Sequence, residues 1–155
     1  MTLNDLGNFD NILAENLSKD YIRMSPLKTN LFPDTIEVLS YLRKKYILHI
    51  ITNGFSEIQG VKIKNSVLDV YFETMITSEE ADVRKPDKLI FEYSLNKTGA
   101  KAEESIMVGD DLIVDILGAK AAGMDQVYFN YNNNKHNESI TYEIISLKKL
   151  KTILN

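Results

Sequence analysis

The segment IMVGDDLIVD (106–115) places three carboxylates and no basic side chain at the end of an apolar run. Asp110 and Asp111 follow Gly109 directly, and Asp115 lies one helical turn further on. Side chains on a helix's first turn point back toward its N-terminus, so Asp115 can face the same space as Asp110. Carboxylates gathered in an apolar-walled cleft repel one another and stay ionised only beside a cation. Oxygen-only ligands favour a hard ion such as Mg²⁺. Two further groups sit at comparable breaks: Thr52, in ITNG after the run YILHII, and Lys85, in VRKPD. Each also has a plainer reading. Asp110-Asp111 suits a helix N-cap assisted by the helix dipole. Thr52 suits a packed strand residue, Lys85 a solvated loop lysine, His49 a satisfied core histidine and His136 an exposed loop residue.

These groups converge only if the elements between them alternate in a particular way. Residues 1 to about 25 read as a polar helix or pair of helices, with Ile12, Leu13, Leu17 and Ile22 as a broken apolar stripe. Asp34, with Glu37 three residues on, resembles a capping box, and Ile36, Leu39 and Leu42 carry helical spacing to about Lys45. The isoleucine-rich run 46–51 breaks at Asn53-Gly54 and predicts a strand covered on both faces. A helix over 55–68, blemished by Gly60, precedes a strand at 73–78. Pro86 opens another helix, its inner face drawn from Leu89, Ile90, Phe91 and Tyr93. There follow a strand at 105–109, a helix over 112–122 stopped by Gly123, a strand at 126–130 and a closing helix over 142–154. The small residues of GAKAAG let the 112–122 helix lie close to the sheet. The asparagine-rich loop YNNNKHNES is expected to be mobile. Strands alternating with helices imply an α/β fold with a doubly wound parallel sheet. Ligands in such sheets bind outside the carboxyl ends of the strands, where Thr52, Asp110 and Asp111 fall.

The bulk properties are compatible with this reading. A chain of 155 residues has the size of one domain, and 44% hydrophobic with 26% charged residues is typical of globular proteins. A net charge of −4 without a basic run gives no support for nucleic-acid binding. The absence of cysteine excludes disulfides and thiolate-bound metals and fits a reducing cytoplasm. No apolar stretch approaches the ~20 residues of a membrane span. The opening MTLNDLGNFDN lacks the basic-then-apolar pattern of a signal peptide.

Taken in order, ITNG, VRKPDKLIFEYSL and IMVGDDLIVDILGAKAAGM resemble the haloacid-dehalogenase-like (HAD) hydrolase superfamily over roughly residues 30 to 155. The resemblance implies a Rossmann-like core and a role for each residue. Thr52 matches the second motif, its hydroxyl and the backbone N–H of Asn53 holding a phosphoryl group. Lys85 matches the third and would neutralise phosphoryl and nucleophile charge. Asp110 and Asp115 match the fourth, GDxxxxD. Asp110 would be the direct Mg²⁺ ligand, and Asp115 would act through metal-bound water or by orienting Lys85. That fourth motif resembles the Mg²⁺-dependent phosphatases, nucleotidase-like or phosphoglycolate-phosphatase-like, more than the metal-free dehalogenases. A small phosphorylated metabolite is the implied substrate. A phosphoacceptor receiver domain has similar groups in another order, with the acidic pair first.

One motif is absent. The family's first motif, DxDx[TV] after an apolar strand, supplies the nucleophilic aspartate and the general acid/base. No Asp of this chain has a D-x-D partner. The missing strand belongs between the TNG and GDD strands, and unmet buried backbone groups cost ~1–3 kcal/mol each. The expectations are therefore a HAD-like core over 28–155 lacking its first central strand and a residual helical cap over 1–27. The chain would be the C-terminal part of a longer hydrolase that works through an aspartyl-phosphate, inactive as it stands. A second copy is a possible way of completing the sheet. The alternative is a non-catalytic binding or assembly module that has lost its nucleophile.

Overall fold

Asp10 begins the regular structure by accepting the N–H groups of Ile12 (2.9 Å) and Leu13 (3.0 Å), which caps α1 (Asn11–Met24). The computed structural model describes residues 5, 7 and 10–155. α1 buries none of its residues, so its apolar stripe of Ile12, Leu17, Tyr21 and Ile22 stays exposed. The part of the 1–25 reading that falls on residues 1–4, 6, 8 and 9 lies outside the described residues.

α2 (Thr35–Leu42) begins differently from the capping box expected. Asp34 adopts a left-handed backbone, φ 64°, and its side chain caps nothing. Thr35 bonds the Phe32 carbonyl instead, and Glu37 reaches out to Lys151 at 2.7 Å. A tertiary ion pair has taken the residue that the local motif would use.

β1 (His49–Thr52) is followed by α3 (Ser56–Asn65), β2 (Thr74–Thr77) and α4 (Ser78–Ala81). α5 (Lys88–Thr98) then leads to β3 (Ile106–Gly109). A π-helical segment, Leu112–Leu117, runs into α6 (Gly118–Ala121). β4 (Asp125–Phe129), β5 (Tyr142–Ile144) and α7 (Leu150–Ile153) complete the chain. The closing helix predicted over 142–154 is thus strand over Tyr142–Ile144 and helical only over Leu147–Lys149 and Leu150–Ile153. Burial along Tyr142–Ile144 does not alternate, only Ile144 being buried, and it is parallel pairing with β4 that makes strand the better use of those residues.

All strand pairs are parallel. β1 pairs β2, with His49 opposite Thr74 and Thr52 opposite Thr77. β3, β4 and β5 pair in that order. Two apolar clusters cover the strands. One unites Val38 and Leu42 of α2 and Leu150 of α7 with Val127, Phe129 and Ile144, with Leu48 and Ile106 packed alongside. The other joins Ile76 to Ile90, Phe91 and Ala119, with Ile51 and Met107 alongside. Helices therefore cover both faces, as a doubly wound fold requires; the second cluster touches both sheets, and the first reaches Leu48, just before β1.

Yet no ladder joins β1 to β3: the strands form a two-stranded and a three-stranded sheet. Among the described residues, each of these two strands has a neighbour on one side only. Val108, mid-strand in β3, is 36% exposed, while its register partner Val127 in β4 is 0% exposed. Among the described residues, no helix is long and apolar enough to cross a membrane.

Candidate functional site

Parallel strands bring their carboxyl ends to one side, which gathers Thr52, Thr77 and Gly109-Asp110. The chain past β1 turns tightly, with Gly54 N–H donating to the Thr52 hydroxyl at 3.1 Å. Lys85, in the loop between α4 and α5, directs its ammonium toward two partners. Its Nζ lies 2.6 Å from Asp115 Oδ1 and 2.9 Å from the Ile51 carbonyl. Both side chains are buried, at 10% and 8% exposure, so the plain reading of Lys85 as a solvated lysine does not hold. Low local dielectric strengthens such a pair and makes it costly to break.

The three aspartates divide the work. Asp111 is the N-cap: its Oδ1 accepts the N–H groups of Ile113 (3.0 Å) and Val114 (2.8 Å). Asp115 commits Oδ1 to Lys85, and its Oδ2 accepts the Asp111 N–H at 3.2 Å. It also fits closely over β3, because a Cβ on Gly109 would stand 2.4 Å from Asp115 Cβ. The small residue is required there by close approach. Asp110 is exposed, and its carboxylate makes no hydrogen bond or ion pair among the described residues.

The donor set suits Mg²⁺. This cation is commonly held by one or two carboxylates with waters and substrate phosphate filling the other positions. Asp110 offers a free carboxylate, whereas both Asp115 oxygens are engaged, so Asp115 fits an indirect part through Lys85. The described residues contain no cluster of three or more acidic, His or Cys groups able to hold a metal by themselves.

Asn53 holds the Lys85 loop. Its Nδ2 donates to the Lys85 carbonyl at 3.0 Å and its Oδ1 accepts the Lys85 N–H at 2.8 Å. An Asn beside a strand-end Thr gave no sign of this in the sequence. Close packing behind the loop is also visible: a Cβ on Gly118 would stand 2.7 Å from Phe91 and 2.9 Å from the Pro86 carbonyl. Gly118 therefore packs against the start of α5. The buried face of α5 is Ile90, Phe91 and Ser94, with Leu89 52% exposed, which corrects one of the inner-face residues expected.

Both histidines differ from their plain readings. His49 Nδ1 is buried without a hydrogen-bond partner, so it is not a satisfied core histidine. Burial holds its pKa below the usual value, opposed by the Glu73 charge. His136 packs edge-on to Tyr128 at 5.5 Å and approaches Glu143 at 3.3 Å. The loop around it is pinned by Asn130, which is 2% exposed and bonds Asn134 N–H (2.8 Å), Asn134 carbonyl (2.9 Å) and Glu143 (2.6 Å). Two surface recesses, about 170 and 420 Å³, share Arg43, Val70 and Tyr71. Their lining precedes β1 and β2, at the end of the strands opposite the aspartates.

Parallel strands in two sheets, with Thr, Lys and a split acidic motif at their carboxyl ends, fit a hydrolase core of one class. The haloacid dehalogenase-like hydrolase family matches residues 4–129, and the chain belongs to it. The pyrimidine 5'-nucleotidase YjjG of Escherichia coli is 36% identical over 125 residues, covering 79% of this chain and 56% of that protein. The glyceraldehyde 3-phosphate phosphatase of Pyrococcus furiosus is 38% identical over 128 residues, covering 79% of this chain and 53% of that one. The magnesium-bound crystal structure of YfnB, a HAD-hydrolase of Bacillus subtilis, superposes with a TM-score of 0.86 at 30% identity over 98% of this chain and 66% of that chain. A HAD phosphatase from Thermococcus onnurineus superposes at 0.78 with 35% identity. The chain spans little more than half the length of the curated relatives it matches.

Proposed function

We propose that this chain carries the phosphoryl-holding side of a Mg²⁺-dependent phosphomonoesterase acting on a small phosphorylated metabolite. The observation that carries the reading is the buried Lys85–Asp115 pair at the end of β1, beside Thr52. Thr52 and the backbone N–H of Asn53 hold the phosphoryl group. Lys85, kept charged and in place by Asp115, offsets the oxygen charge that a loose transition state spreads. Asp110 would be the direct ligand of Mg²⁺, which when bound supplies further charge stabilisation at phosphate oxygens. The named activities of YjjG and of the archaeal phosphatase, and the magnesium in YfnB, support phosphate esters as the substrate class.

In the aspartyl-phosphate route that the family resemblance implies, a carboxylate attacks phosphorus, and the 155 residues contain no D-x-D pair to supply one. The unpaired edges of β1 and β3 support an apolar strand entering between them and presenting that nucleophile to Lys85. It would come from another segment of a longer protein, with residues 1–27 as the end of a helical cap. The reducing cytoplasm is the compartment this reading favours.

The test is a phosphate-release assay with Mg²⁺ on pyrimidine nucleotides and triose phosphates. The chain alone should give no turnover. A longer form preceded by an apolar strand ending in D-x-D-x-T should turn over, and Asp110→Asn should abolish it. Phosphatase activity of the chain alone, sensitive to Asp110→Asn, would sink the proposal of an external nucleophile. The apolar cluster that bridges both sheets favours one second reading, a non-catalytic assembly module. It requires a monomer that melts cooperatively at high temperature with no strand added.

A further inference from the structure

We infer that the side chain of Asn53 is a positioning residue that clasps the Lys85 loop to the end of β1. The meaning of the clasp rests on the phosphoryl-transfer reading; its geometry does not. Asn53 meets Lys85 across 32 positions of sequence through two hydrogen bonds, donating to the carbonyl at 3.0 Å and accepting the N–H at 2.8 Å. An amide head offers a donor and an acceptor in one plane, as this reciprocal pairing demands. A carboxylate of the same shape offers two acceptors, so one oxygen would face the Lys85 carbonyl without a proton between them. The Asn53 backbone is tied in turn, its carbonyl accepting the Ser78 hydroxyl at 3.2 Å.

Lysine has a long flexible stem, and a charge at its tip is placed only if both ends are held. Here Nζ is held by Asp115 and the Ile51 carbonyl, and the backbone by Asn53. The residue next to Thr52 therefore fixes where the loop lysine stands relative to Thr52. In the phosphoryl-transfer reading Asn53 thus has two separate jobs: its backbone N–H would meet a phosphoryl oxygen, while its side chain aligns the cation that meets the same group.

Lysine reactivity tests this without any need for turnover. The full chain and its Asn53→Ala and Asn53→Asp variants are pulsed with acetic anhydride, and acetylation is mapped residue by residue by mass spectrometry. Lys85 should label slowly in the parent protein compared with Lys88, whose side chain is 55% exposed. Both variants should raise the Lys85 rate several-fold while Lys88 and Lys151 keep theirs, and the isosteric Asp should fail to restore protection. An unchanged Lys85 rate in the variants overturns the inference. So does a general rise at all lysines, which a merely structural role would produce. Repeating the parent labelling with inorganic phosphate and Mg²⁺ addresses the other reading separately. Loss of Lys85 reactivity supports the phosphoryl site, and no change counts against that site while the clasp result stands.

Discussion

Replacing Asp115 by alanine would leave the Lys85 ammonium against a single carbonyl, that of Ile51, with its side chain only 10% exposed. Cutting one side of a buried pair costs ~3–5 kcal/mol, because the remaining charge stays desolvated. The same substitution also removes the acceptor of the Asp111 N–H, which places the loss toward the upper end. Domains are stable by ~5–15 kcal/mol, so roughly a third or more of the total is at stake. Lys85→Met should cost less, since Asp115 keeps the Asp111 N–H as a partner. The double variant Lys85→Met/Asp115→Leu removes both charges and should recover most of the loss, a coupling of at least ~2 kcal/mol. Urea denaturation reads all four proteins. With m near ~2 kcal/mol/M, Asp115→Ala should lower the midpoint by about 2 M at unchanged m. A loss under ~1 kcal/mol is the range of a solvated surface pair. That result would refute the reasoning, and would mean that water reaches the pair through the open side between β1 and β3.

Two glycine substitutions should move stability in opposite directions in the same assay. Gly60→Ala, in mid α3 with nothing within 4 Å of the added Cβ, should gain ~0.5–1 kcal/mol. Gly109→Ala should lose ~1–3 kcal/mol by driving Asp115 off β3. His49→Leu should gain up to ~1–3 kcal/mol by removing an unpartnered buried nitrogen. The native pKa of His49 lies below its ordinary 6.5, so the unfolded chain takes up the proton first. Parent stability should therefore fall as pH drops through about 6.5 toward the native value, and the Leu variant should show a shallower slope over that window. Asp110→Asn should leave stability within ~0.5 kcal/mol and weaken Mg²⁺ binding in calorimetry. An unchanged Mg²⁺ titration would remove Asp110 from the ligand set.

The order of elements was legible in the residues because it depends on local patterns. The isoleucine-rich run 46–51 reads as a strand, and in a parallel sheet the polar strand ends fall together. That pattern alone puts Thr52 and Asp110 at one side of the molecule. The expected burial of the run on both faces does not hold, because Ile47 is 76% exposed and every residue of β1 is only half-buried. Only tertiary structure decided which carboxylate does what. Asp110, Asp111 and Asp115 are chemically alike, and a lysine 30 positions away claims one, two backbone N–H groups claim another, and the third stays free. Residues 142–144 became a strand because β4 had an edge to offer, and Glu37 pairs with Lys151 rather than closing a capping box with Asp34, whose backbone is left-handed. Each such outcome turns on a partner distant in sequence. Burial, charge pairing and strand pairing are energies of proximity, and no local pattern of residue types encodes which distant groups will be near.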